Sequence, residues 1–135
     1  MNQTLIFPSD ASDSLEKTLH ALRTLRITKV ADEYVLQAKI KECLHEYGIG
    51  YQKEYRLGSR NRVDFLVTGG IAIEVKQGTT KPNQTRVIHQ LLRYASYEEV
   101  KAIILVVDRN VHLPSEINGK PCISYGLHKQ WGISL

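Results

Sequence analysis

The sequence predicts a single α/β domain in which a mixed sheet is flanked by helices. Two segments carry apolar residues at helical spacing, and residues 51–77 alternate as three short strands joined by turns. The run KAIILVVD at residues 101–108 is continuously apolar, which is typical of a strand buried on both faces. A length of 135 residues suits one domain. We therefore expect one domain rather than several.

The N-terminal region predicts a short amphipathic helix behind an irregular leader. In residues 1–10, Pro8 is expected at a turn. Ser12 or Asp13 can cap a helix that follows. Its apolar stripe consists of Leu15, Leu19, Leu22 and Leu25. We assign residues 1–30 to an N-terminal extension and residues 31–135 to the main domain. The helix can pack on its own domain or on a second copy, so a homodimer is possible.

The clearest helix lies in residues 31–50, and a three-strand meander follows it. The predicted apolar stripe of this helix consists of Val35, Leu36, Ile40, Cys43, Leu44 and Tyr47. Gly48 and Gly50 mark its end. The strands are expected at 51–57, 62–67 and 71–77. The last two are joined by a tight connection through Gly69 and Gly70.

The second half of the main domain predicts one more helix and two strands. A loop containing Pro82 covers residues 78–84, and a helix covers 85–97. The inward side of that helix is expected to hold Val87, Ile88, Leu91, Leu92 and Ala95. The buried strand at 101–108 comes next, with Asp108 capping the following turn. Residues 111–121 are expected to be a loop, 121–127 an edge strand and 128–135 a tail, where Trp131 anchors the core.

Composition and charge limit where the protein is expected to act and which partners it is expected to bind. No apolar run approaches the ~20 residues that span a bilayer, and the N-terminus lacks the pattern of a signal peptide. A cytoplasmic protein with no membrane partner is therefore expected. Cys43 and Cys122 are isolated and predict two free thiols. The formal net charge of +4 is compatible with nucleic acid, and basic residues cluster at Lys53, Arg56, Arg60 and Arg62.

The segment NRVDFLVTGGIAIEVK places charged residues inside apolar strands. Asp64 lies in one strand, and Glu74 and Lys76 lie in the next. Positions i and i+2 of a strand share a face, so Glu74 and Lys76 point together. Along the preceding strand Val63, Phe65 and Val67 pack one way and Asp64 points the other. The glycine hairpin makes the two strands neighbours. Asp64 is therefore expected beside Glu74.

Converging carboxylates predict either a metal site or an ion-pair network on a solvated sheet face. Carboxylate oxygens suit Mg²⁺ or Mn²⁺, and such an ion lowers the pKa of a bound water and binds a phosphate oxygen. A neighbouring lysine can orient the water and stabilise charge on the phosphorus. The apolar flanks of Asp64 and Glu74, and the basic stretch before them, favour the metal site.

At these residues the sequence resembles the PD-(D/E)xK nuclease superfamily. The segments RVDFLV and IAIEVK are similar to its core, over about residues 32–108. Val63 stands where the motif has proline, a departure that many members share. The resemblance implies a restriction-endonuclease-like αβββαβ core, a central mixed sheet flanked by helices, within residues 31–135. It also implies a metal-dependent DNA nuclease that uses Mg²⁺ or Mn²⁺.

The resemblance implies a role for each site residue. Asp64 and Glu74 would be metal ligands, with the Val75 carbonyl as a third, and Lys76 would be the catalytic lysine. The superfamily also uses a glutamate of the first core helix, for which we favour Glu33. Glu42, Glu46 and Glu54 remain open alternatives.

The resemblance also points to contacts with DNA. Gln90 and Tyr94 match the Q-x3-Y motif of RecB-like nucleases and lie one helical turn apart. Gln77 follows Lys76 and can reach the phosphate region. Arg60 and Arg62 are expected phosphate contacts. The alternatives to a nuclease are a catalytically silent nucleic-acid-binding domain on the same fold, and a partner-binding domain with a structural ion-pair cluster.

Overall fold

The helices and strands follow the predicted order, with one additional short strand. A computed structural model of the chain describes residues 3–25, 33–77, 81–107 and 112–126. Its elements are α1 (Gln3–Leu22), α2 (Glu33–Glu46), β1 (Tyr51–Gly58), β2 (Asn61–Val67), β3 (Ile71–Lys76), α3 (Lys81–Ala95), β4 (Ala102–Val107), β5 (Glu116–Ile117) and β6 (Lys120–Gly126). The prediction of a mixed α/β fold is confirmed.

The strands form one mixed open sheet in the order β1-β2-β3-β4-β6-β5. β1, β2 and β3 are a meander of antiparallel neighbours. β4 runs parallel to both β3 and β6. Because α3 connects the parallel strands β3 and β4, it crosses one face of the sheet. All six residues of β4 are buried, as the apolar run predicts.

Two apolar clusters cover the two faces of the sheet. The first joins α1 and α2 to residues such as Phe65, Ile73 and Val75. The second joins α3 to residues such as Ala72, Ile103 and Leu105. Leu22 of α1 is fully buried, and Leu15 and Leu19 pack against the first cluster. The N-terminal helix therefore packs on its own domain.

Two helices begin earlier than the sequence predicts. α1 begins at Gln3 and continues through Pro8, where an irregular leader was expected. Helix growth is cooperative, which favours extension of an existing helix, although a proline inside a helix costs about 3 kcal/mol. α3 begins at Lys81 rather than Thr85, and Pro82 lies in its first turn. Proline suits that position because its missing N–H has no helical partner there.

The apolar stripes of α2 and α3 are narrower than predicted. Val35 is 39% exposed and Tyr47 is 42% exposed, although both were placed in the core. On α3, Leu92 is 45% exposed, whereas Tyr94 is 1% exposed and takes an inward position. The helices lie on a twisted sheet and touch it along a stripe, so residues at the margin of the stripe reach solvent.

The segment expected to be a loop contains a small hairpin. β5 pairs with β6 through a turn at Asn118 and Gly119, whose φ angles are 55° and 77°. An Asn-Gly pair is a strong hairpin signal. β6 therefore lies between β4 and β5 and is not the edge strand. Asn118 and Lys120 also donate hydrogen bonds to the Ala95 carbonyl at the end of α3.

Some predictions concern the ends of the chain and its thiols. Asp108 and Trp131 lie outside the described residues. Cys43 and Cys122 are free and buried, as expected. Within the described ranges, no helix combines the length and the apolar character that crossing a bilayer requires.

Candidate functional site

The β2–β3 hairpin brings Asp64 and Glu74 together. The turn uses Gly69 and Gly70 at φ angles of 100° and 91°, which glycine adopts without strain. From the turn, the register pairs Val67 with Ile71 and Phe65 with Ile73. One further step along both strands places Asp64 opposite Glu74.

At Asp64 and Glu74, backbone N–H groups donate to side-chain carboxylates of the neighbouring strand. The Asp64 N–H donates to Glu74 Oε1 over 3.2 Å. The Val75 N–H donates to Asp64 Oδ2 over 2.8 Å. Each carboxylate is therefore held by a backbone N–H of the opposite strand, and the two acids are fixed relative to each other.

Lys76 completes the trio that the sequence singles out. Its Nζ lies 3.6 Å from Glu74 Oε2. The Lys76 side chain is 27% exposed, whereas that of Glu74 is 5% exposed. The ammonium group is therefore accessible to a bound anion, while the carboxylate beside it is shielded from bulk water.

Both carboxyl groups bind protons more tightly than usual. Burial raises the pKa of Glu74 to about 7, and the negative charge of Asp64 adds to this effect against the opposing charge of Lys76. Burial also raises the pKa of Asp64, although the hydrogen bond from Val75 and the charge of Lys76 oppose it. A positive charge bound between the two carboxylates would therefore stabilise their ionised forms.

Glu33 is the best placed of the four candidate glutamates. It begins α2, and its negative charge contributes to raising the pKa of Asp64. Glu54 has a side chain that is 55% exposed and lies near Lys53 and Arg62 instead.

The other two glutamates of α2 lie elsewhere. Glu42 and Glu46 are exposed, and their charges help to raise the pKa of the Cys43 thiol, whose main cause is burial. They line a shallow groove with Thr24 and Lys39, on the α1 side of α2. Neither is a good candidate for the site around Asp64.

The donor set fits a hard divalent ion with an incomplete protein shell. In the part of the chain that the structure describes, no three His, Cys, Asp or Glu side chains are grouped to hold a metal. Asp64 and Glu74 supply two carboxylates, and the Val75 carbonyl remains the predicted third ligand. Mg²⁺ is commonly bound by one or two carboxylates together with water and substrate phosphate, so two carboxylates are compatible with the predicted ion.

Gln90 and Tyr94 form a network behind the site. Gln90 Nε2 donates to the Tyr94 hydroxyl over 2.9 Å, and that hydroxyl donates to the Arg62 carbonyl over 2.9 Å. Burial, followed by the charges of Glu74 and Asp64, raises the pKa of Tyr94. Tyr94 is 1% exposed, and its side chain ties α3 to β2. Its contact with DNA stays a prediction.

Three further residues were predicted to contact DNA, and one neighbour of the site was missed. Arg60 and Arg62 are exposed, and Gln77 is half-buried next to Lys76. Lys53 was not predicted as a site residue, yet its charge acts on Asp64 and its Nζ donates to Gln37 Oε1 over 2.6 Å. Only the pairing of Lys53 with Phe65, which the sequence does not reveal, places it there.

Comparisons with models of protein families, with curated proteins and with solved structures found no match for this chain.

Proposed function

We propose that this protein is a metal-dependent deoxyribonuclease with the restriction-endonuclease-like core that its sequence resembles. The observation that carries the proposal is the crossed pair of hydrogen bonds between Asp64 and the Glu74–Val75 segment. This pair holds two acids with raised pKa values beside an accessible lysine. Such an arrangement is costly in the absence of a cation.

The fold supports the same proposal. The order α2-β1-β2-β3-α3-β4 matches the αβββαβ core that the resemblance implies. The candidate acids lie on the second and third strands of the meander, and Glu33 lies on the helix before it. These are the elements on which the resemblance expects them.

The chemistry divides among the residues of the site. Asp64 and Glu74 would hold Mg²⁺ or Mn²⁺, which supplies positive charge to a phosphate oxygen and lowers the pKa of a bound water. Lys76 orients the attacking water and stabilises the negative charge that develops on the phosphoryl oxygens. The water oxygen forms a bond to phosphorus, the bond to the ester oxygen breaks, and in net the proton released by the attacking water is transferred through solvent to that leaving oxygen.

The test is DNA cleavage by purified protein. Supercoiled plasmid, single-stranded DNA and branched DNA are incubated with Mg²⁺ or Mn²⁺. The wild type is expected to cut at least one of them, whereas Asp64→Asn and Lys76→Ala lose at least about a hundredfold in rate. Lys41→Ala removes an exposed lysine of α2 and is the matched control. The proposal fails if the wild type cuts none of the substrates or if the two site variants cut as well as the control.

A catalytically silent nucleic-acid-binding domain is the second candidate. The observation that favours it is the lack of a third grouped acidic side chain among the described residues. Salt-dependent DNA binding by the wild type, with no cleavage under any metal condition, would support this candidate. Loss of cleavage in Glu33→Gln would instead show that a third acid does act at the site.

A further inference from the structure

Two arginines lie directly opposite each other on the β1–β2 hairpin. Arg56 of β1 pairs in register with Arg62 of β2. Both are exposed, and the Arg62 side chain is 58% exposed. Like charges at directly opposed positions destabilise a pair of strands. The charge of Arg62 is offset only loosely, by Glu54 at 4.0 Å.

The backbone that carries this arginine pair is held firmly against α3. Asn61 Nδ2 donates to the Tyr97 hydroxyl over 2.8 Å, and Arg93 Nε donates to Asn61 Oδ1 over 3.1 Å. The Tyr94 hydroxyl donates to the carbonyl of Arg62 itself. These contacts fix the β2 main chain at Arg62, and on β1 Arg56 Nη1 donates to the Ser59 carbonyl over 3.3 Å, so the two guanidinium groups extend from a preorganised hairpin.

Charge and distance relate the arginine pair to the acidic site. Residues 51–67 contain four basic side chains and two acidic ones. Arg62 precedes Asp64 by two residues, which is about 6–7 Å along a strand. The two residues are neighbours along β2, and the long Arg62 side chain can hold a phosphate next to one at the acids.

We infer that Arg56 and Arg62 together bind one backbone phosphate of DNA, next to the phosphate at Asp64 and Glu74. The inference rests on the proposed function in taking the substrate strand as the source of the phosphate. Guanidinium groups bind phosphate oxygens through paired N–H donors, which a lysine ammonium does not reproduce. A shared phosphate also resolves the opposition of two like charges on neighbouring strands.

The test measures binding in the absence of catalysis. A short fluorescein-labelled DNA duplex is titrated with protein in EDTA, and fluorescence anisotropy gives Kd between about 50 and 200 mM NaCl. The variants are Arg56→Ala, Arg62→Ala, the double variant and Arg62→Lys, with Lys41→Ala as the single-charge control. Circular dichroism and thermal unfolding verify that each variant is folded.

Binding of one phosphate by both arginines predicts a specific pattern of DNA affinities among the variants. Each alanine variant weakens binding about tenfold, and the double variant is little weaker than either, because losing one arginine already disrupts the paired contact. The slope of log Kd against log salt changes by about 0.9 in the double variant, the value for one phosphate. Arg62→Lys keeps the charge and still binds several-fold more weakly than wild type.

Several results would overturn the inference. Wild-type affinity in Arg62→Lys, fully additive losses with a slope change of about 1.8, or no loss beyond that of Lys41→Ala would each contradict a shared phosphate. Failure of the wild type to bind the duplex would do so as well. If the predicted binding pattern holds while the wild type cleaves no DNA, the nuclease proposal fails and the phosphate site stands.

Discussion

The two halves of the β2–β3 hairpin use the same strands for different purposes. Near the glycine turn, residues 65–67 and 71–73 form a regular antiparallel ladder, and five of these six residues are buried. One step further, backbone N–H groups bind the carboxylates of Asp64 and Glu74 instead of backbone carbonyls. The half near the turn provides rigidity, and the half beyond it holds a pair of acids that is unfavourable on its own.

This contrast explains how the acids are kept in place. Burial raises the pKa of both carboxyl groups, and for Glu74 the negative charge of Asp64 adds to the effect, so ionising both acids is unfavourable. The ladder beside them is packed between two apolar clusters. We infer that the stability of this ladder offsets the local cost at the site, an arrangement that substitutions in each half can test.

The largest loss of stability is expected in the half near the turn. Ile73 is fully buried, so Ile73→Ala should lower the free energy of unfolding by about 2–5 kcal/mol. Leu92→Ala, at a position 45% exposed, should cost less than about 1 kcal/mol. Urea denaturation measures both values. Equal losses in the two variants would contradict the role given to the ladder.

Substitution of Glu74, the residue after Ile73, should raise the free energy of unfolding instead of lowering it. Glu74→Gln removes one of the two buried charges and keeps an acceptor for the Asp64 N–H. In EDTA at pH 8 it should raise the free energy of unfolding by an amount on the order of 1–3 kcal/mol. The same urea denaturation measures the change. A clear destabilisation by Glu74→Gln would show that the charge of Glu74 stabilises the metal-free protein.

The stability of the metal-free protein should depend on pH at Glu74. The folded state raises the pKa of this group from 4.5 to about 7, so it binds the proton more tightly than the unfolded chain does. The stabilisation is fully present below pH 4.5 and is lost as the pH rises to about 7. Urea denaturation in EDTA at pH 5 and at pH 8 measures the free energy of unfolding. The same measurement on Glu74→Gln gives the contribution of all other titrating groups, which is then subtracted. MgCl2 should restore stability at pH 8, and a wild-type pH profile identical to that of the variant would refute the assignment.

The smallest effect is expected for a glycine substitution at Glu54, in the strand β1 that neighbours the site. Glu54 has a φ of 52° and lies between the two paired positions that flank Asp64. Glu54→Gly should change stability by less than about 1 kcal/mol, because glycine accepts this conformation. Glu54→Val should cost about 2 kcal/mol, because a β-branched residue is strained there. Equal effects in the two variants would mean that the left-handed backbone at Glu54 is not retained in solution.

The sequence predicts the sheet well because the sheet depends on local alternation. The strand positions of Asp64, Glu74 and Lys76 follow from a period of two and a glycine turn. Val63 departs from this pattern. It packs with Leu57 and α3, whereas Phe65 packs on the side of α1 and α2. The side of packing changes near Glu54, and a positive φ at a glutamate has no signature in the sequence.

The parts of the site that come from other elements could not be predicted from sequence. Helical spacing does not distinguish Glu33 from Glu42 and Glu46, because the orientation of α2 on the sheet decides which of them acts on Asp64. The burial of Tyr94 likewise depends on how α3 crosses β2. Lys53 reaches the site through the register of β1 with β2. Each of these depends on tertiary packing.

The most direct test of the central claim is the single-turnover cleavage rate of DNA as a function of Mg²⁺ concentration, for the wild type and for Glu74→Gln. The substrate is whichever DNA the wild type cuts best. We expect a rate that rises with Mg²⁺ and saturates in the wild type, and a loss of at least about a hundredfold in the variant at every concentration. Cleavage that is independent of Mg²⁺, or that survives in Glu74→Gln, would contradict a metal site built on Asp64 and Glu74.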